Sequence, residues 1–125
     1  MAVGDTELID MLAAETERRV PAVIDGIRDL AGSGRSDSTR VEELRVEVHG
    51  LKGASLVVGQ DRLAALAKAL EAALVRRQPS GEIPPELAET LVAATSALQE
   101  GATAASRGKS EPASVENALT ALADT

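Results

Sequence analysis

Apolar residues recur along this chain at helical spacing, and the runs are separated by short polar, proline or glycine breaks. Leu8, Leu12, Val20, Val23, Ile24, Ile27 and Leu30 make the first stripe. It predicts a helix from about residue 5 to 31, capped by Asp5 or Thr6 and kinked or divided at Pro21. Gly32-Ser33-Gly34 ends it, and Thr39-Arg40-Val41-Glu42 fits a capping box that opens a second helix, which stops at Gly59. A third helix, about 61–78, turns Leu63, Leu66, Leu70 and Leu74 inward before Pro79-Ser80-Gly81 breaks the chain. Pro84-Pro85 restarts it as a fourth helix to about residue 105, with Leu87, Leu91, Val92 and Leu98 inward. After a polar segment, Val115, Ala118, Leu119 and Leu122 mark a short amphipathic helix over about 113–123.

With no Phe, Tyr or Trp, the core must be built from Leu, Val, Ile and Ala. Small, strongly helix-forming side chains favour packed helices over a sheet. The expected fold is all-α: an antiparallel four-helix bundle with an additional C-terminal helix. It is a single domain over residues 1–125, its bundle core about 5–106 and its last helix about 113–123. A chain of 125 residues is long enough to bury roughly two-thirds of its unfolded surface. Thirteen basic against twenty acidic residues, net charge −7, argue against a nucleic-acid surface, which needs concentrated positive charge. The absence of cysteine excludes disulfides and thiolate metal sites. One histidine and scattered carboxylates make no tight metal site. Met1 to Leu12 lacks the basic flank and sustained apolar run of a signal peptide or membrane helix, so the expected setting is cytoplasmic, without membrane contact.

The chemistry concentrates in Val48 to Gly59, which holds the only histidine, His49. With residues about 100° apart on a helix, Leu44, Val48, Leu51 and Val58 fall on the side opposite His49. Lys52 and Gly53 share the histidine's face, with Arg45 one turn before. His49 should therefore meet solvent, where a neutral imidazole is a competent nucleophile and a nearby cation can hold phosphoryl oxygens. Glycine inside a helix is unfavourable by about 0.5–1 kcal/mol relative to alanine, so Gly50 and Gly53 suggest a purpose other than stability, namely access for a partner. A lone surface histidine is ordinarily just a solvated one, and it is the run around His49 that sets it apart.

The run His49-Gly50-Leu51-Lys52-Gly53, with Gly59 ten positions after the histidine, resembles the signature of histidine-containing phosphotransfer (HPt) domains, which carry a phosphoryl group on histidine. The resemblance covers about residues 5–106. It extends to Leu70-Glu71, because in the phosphotransfer domain of chemotaxis-type kinases a glutamate 22 residues after the histidine accepts a hydrogen bond from the ring. Glu71 in that role would leave Nε2 free to attack and make the ring more basic. Some chemotaxis members have a second histidine three residues before that glutamate; this chain has Lys68, a candidate second cation on the phosphate side. A fifth helix also resembles that subgroup.

The resemblance implies a histidine phosphotransfer module that carries the phosphoryl group on His49 and exchanges it with an aspartate on a response-regulator receiver domain. The alternative is the substrate module of a larger chemotaxis-type histidine kinase, phosphorylated from ATP by a separate catalytic domain. A helical adaptor that has lost phosphorylation is a third class. No ATP-binding glycine-rich box is present, so the chain cannot supply a complete kinase, and magnesium and ATP are expected on partner domains. The isolated domain is expected to be monomeric. Gly101 to Ser110 imitates a P-loop, but six residues separate its glycines where four are required, and no strand precedes it. Arg76-Arg77 reads as a solvated helix end.

Overall fold

The leucine and alanine spacing resolves into five helices in a computed structural model that describes residues 5–125. They are α1 (Asp5–Ser33), α2 (Ser38–Val57), α3 (Asp61–Arg77), α4 (Pro85–Ser106) and α5 (Ala113–Ala123), with no strand among the described residues. A helix the length of α2 spans about 30 Å, whereas residues 58–60, fully stretched, reach only about 10 Å. Because α2 and α3 also pack on each other, the chain must turn back on itself between them, making them antiparallel neighbours. The same limit applies between α1 and α2. At that end of the bundle the α3–α4 connection also returns, since the Asp37 amide donates to the Gly81 carbonyl at 2.8 Å. Gly81 has φ 68°, and a Cβ there would lie 2.6 Å from the Ser38 nitrogen, so only glycine fits this crossing.

In the bundle α1 packs on α2 and α4, α2 on α3, and α3 on α4, closing a ring of four, while α5 lies across α3 and α4. Val20, Val23, Ile27 and Leu30 of α1 meet Val41, Leu44, Val48 and Leu51 of α2, Leu66, Leu70 and Leu74 of α3, and Leu91 and Leu98 of α4 in one continuous core. Leu8, Ile24, Leu87, Val92 and Leu119, expected inward, sit half-buried at its rim. Ile83, from the α3–α4 connection, joins the core although no helical periodicity marks it. Ala67, Ala94, Ala97 and Ala102 are fully buried, and their small volume lets backbones approach where aromatic rings would hold them apart. Gly101 carries this furthest: a Cβ there would stand 2.5 Å from Leu63 and 3.2 Å from Val115. The stretch that imitates a P-loop thus begins inside a buried helical turn of α4.

Several boundaries differ from expectation. α1 runs through Pro21 without dividing; the proline lies on the exposed side, where the carbonyl it leaves unpaired can bond water. Asp5 and Thr6, expected as caps, both lie within the first turn of α1, and the position before them is outside the described residues. α2 begins at Ser38, not Thr39, because Asp37 is its cap: its side chain accepts from the Arg40 amide at 3.0 Å and its carbonyl from the Val41 amide at 3.1 Å. The helix ends at Val57, and Gly59, with φ 74°, turns the chain into α3. Among the described residues no helix is long and apolar enough to cross a membrane.

Candidate functional site

His49 stands near the middle of α2 because Val48 and Leu51, on either side of it, are both buried in the core and fix the helix's rotation. The ring is placed outward, its side chain 59% exposed. From α3, Leu70 and Leu74 enter the core and set Glu71 at its border, with a side chain only 12% exposed. The two helices meet so that His49 Nδ1 lies 3.0 Å from Glu71 Oε2. Glu71 is a meeting point for more than the histidine. Lys52 Nζ lies 3.0 Å from Oε1, and Arg45 Nη1 donates to Oε2 at 2.8 Å. Arg45 in turn donates to Glu42 through Nε at 2.9 Å and Nη2 at 2.7 Å, and Gln78 reaches the same carboxylate.

Burial pushes the Glu71 carboxyl upward, but hydrogen bonds from Lys52, Arg45 and His49 outweigh it and hold the group below the usual glutamate value. Hydrogen bonds to Glu42 and then Glu71 raise the Arg45 guanidinium above its already high value. Glu71 is therefore a carboxylate near neutral pH and can only accept hydrogen bonds. Facing it, a neutral His49 ring is a donor at Nδ1, which leaves the lone pair on Nε2.

The expected site residues are only partly gathered here. His49, Lys52 and Glu71 come together as one cluster. Lys52 is drawn to the Glu71 carboxylate, so in the unphosphorylated protein it is already paired. Lys68 lies exposed on α3, one turn before Glu71, and takes no part in the cluster. Gly53 is open: a Cβ built on it meets nothing within 4 Å. Over Gly50, also expected to leave room for a partner, lies a side chain of α1: a Cβ there would stand 2.8 Å from the Arg19 guanidinium, which Glu15 and Glu47 hold at 2.8 and 3.1 Å. Spacing puts Arg45 on the histidine's face, but its bond to Glu71 joins two helices and has no mark in the spacing of either. The spacing of Glu42 three positions before it signals only the pair within α2; which α3 residue Arg45 meets is set by the packing of the two helices.

No group of three or more potential metal-ligating side chains occurs among the described residues. Arg76 and Arg77, in the last turn of α3, bond to Thr125 and to the Glu82 carbonyl and not to Glu71. The arrangement offers one solvent-facing nitrogen nucleophile on a rigid helix, with its second nitrogen anchored by a carboxylate.

A search among curated proteins returned no match. The family model described as the Hpt domain matches residues 7–124, from the first turns of α1 through α5. With that match over nearly the whole all-α bundle, the chain belongs to the Hpt domain family, as a histidine phosphotransfer module of a phosphorelay.

Proposed function

We propose that His49 is the phosphoacceptor and that it exchanges the phosphoryl group with an aspartate on a response-regulator receiver domain. The observation that carries this reading is the contact of Nδ1 with Glu71, which leaves an outward-facing Nε2 as the nucleophile. In the forward step the Nε2 lone pair attacks the phosphorus of an aspartyl phosphate. The new N–P bond forms as the P–O bond to the aspartate breaks, and that electron pair leaves with the carboxylate. The Nδ1 proton stays in its bond to Glu71 throughout, so no proton need move.

Lys52 lies within a helical turn of the histidine and can swing from Glu71 to the arriving phosphoryl oxygens. Lys68 is the second candidate cation. Magnesium and most of the electrostatic stabilisation belong to the receiver, and ATP to a histidine kinase catalytic domain upstream. The docking face in this reading is the exposed ridge of α2, where Val46, Leu56 and Val57 present apolar surface beside the unoccupied space over Gly53. The finer kinship with the phosphotransfer domain of chemotaxis-type kinases draws support from Glu71 and from α5 packed on α3 and α4.

The test is phosphorylation of the full chain by candidate kinases and phosphorylated receivers. The expected label is acid-labile and comparatively stable to base, and His49→Gln, which removes a solvent-facing ring, stays folded and takes none. Normal labelling of that variant would place the phosphoryl group elsewhere.

A further inference from the structure

We propose that Arg45 is a positioning residue for the phosphoacceptor, acting through Glu71 and held in turn by Glu42. The inference rests on His49 being the nucleophile, as proposed above, and assigns a role to a side chain whose hydrogen bonds all go to carboxylates. Arg45 Nη1 and His49 Nδ1 share one oxygen, Glu71 Oε2, at 2.8 and 3.0 Å. Lys52 holds the other oxygen at 3.0 Å. A glutamate carboxylate turns freely about its last torsion, with a broad, roughly two-fold profile. A flexible lysine at one oxygen fixes a distance, not a plane. The planar guanidinium adds that constraint, because its own orientation is set by two bonds to Glu42 at 2.9 and 2.7 Å, with Gln78 bracing Glu42 from the end of α3.

The same geometry argues against Arg45 as a ligand of the phosphoryl group. Its Nε, Nη1 and Nη2 are all committed to carboxylates, and its side chain is 24% exposed, against 59% for His49. A run of four groups, Gln78, Glu42, Arg45 and Glu71, thus reaches from the loop end of α3 back to the ring. It ties the tautomer of His49 to the packing of α2 on α3.

The experiment reads the ring directly. In the uniformly nitrogen-15-labelled full chain, held at a pH where the imidazole is neutral, the parent should give ring signals of the Nδ1-protonated tautomer. Arg45→Ala should shift them toward a tautomer mixture, Arg45→Lys should recover part of the change, and Glu42→Gln, which keeps Arg45 but loosens its anchor, should move them less and in the same direction. Transfer from a phosphorylated receiver should slow roughly tenfold in Arg45→Ala, the scale on which outer partners of a working histidine act, with the half-saturating receiver concentration unchanged. Ring signals of Arg45→Ala identical to the parent's would overturn the proposal. So would a raised half-saturating concentration alone, which would make Arg45 a docking residue. Because the tautomer is read without any phosphorylation, a failure of His49 as phosphoacceptor would show separately, in the labelling of His49→Gln. If Arg45→Ala loses its helical signal, Glu42→Gln carries the test.

Discussion

Toward α3, the ridge of α2 that bears His49 presents Arg45 and Lys52, both bonded to Glu71; on its other side it presents Val46 and the open Gly53, and the nearest charged group there, Arg19 over Gly50, is turned to Glu15 and Glu47 and not to the ring. One flank holds the ring through charged groups at 2.8–3.0 Å, and the other leaves a surface without side chains over Gly53. A nucleophile used by a large partner needs both properties. Its lone pair must be aimed before the partner arrives, and its outward approach must be empty when it does. The two demands conflict on a single surface, and the helix separates them by roughly a third of a turn.

The largest expected effect comes from filling the empty flank. Gly53→Glu should slow transfer about 100-fold, equivalent to about 2.7 kcal/mol, by occupying the approach and repelling the phosphoryl oxygens, with the helical circular dichroism nearly unchanged. Unaltered single-turnover rates with every competent receiver would mean that the bare flank is not the approach. Loosening the charged flank should cost less. Glu71→Ala is expected to slow transfer roughly tenfold without abolishing it, since the nitrogen nucleophile remains. A loss as complete as that of His49→Gln would make Glu71 part of the chemistry rather than of its alignment.

The smallest effect is on stability. Because the Glu71 carboxyl is held below its ordinary value, its charge stabilises the fold at neutral pH. That contribution is fully present above the unfolded value of about 4.3 and is lost as the pH falls through the lower folded one. Glu71→Gln has no such titration, so the stability gap between parent and variant, measured by urea unfolding from neutral pH downward, should narrow below about pH 4.3. A gap independent of pH would show that the carboxylate's charge is not what Arg45 and Lys52 hold.

The charged flank was also the harder one to read from sequence. Periodicity places residues on a face of their own helix, so His49 outward, Leu51 inward and α5 at Ala113–Ala123 could all be written down from spacing alone. It does not say which residue of α3 lies opposite which residue of α2. Glu71 came from a resemblance, and its bonds to Arg45 and Lys52 depend on a register that only the packed core sets. The neighbour of Gly50 is hidden for the same reason, since the Arg19 guanidinium that lies over it comes from another helix. At the start of α2, Ser36, Asp37, Ser38 and Thr39 are four successive candidate caps. The choice of Asp37 follows from where Gly81 crosses, forty-four positions along the chain, and takes its amide. Pro21 shows propensity overruled: an interior proline costs a helix about 3 kcal/mol, but Val20 and Val23, both fully buried, hold α1 to the core on either side of it.

A core without a single aromatic ring makes the domain nearly silent in the near ultraviolet, in absorption and in fluorescence alike. Any tryptophan or tyrosine signal in a mixture with a receiver or a kinase comes from the partner, so docking and release can be followed with no label and no background from the carrier. The lone imidazole extends this to magnetic resonance, where one set of histidine ring signals reports protonation, tautomer and phosphorylation without an assignment problem.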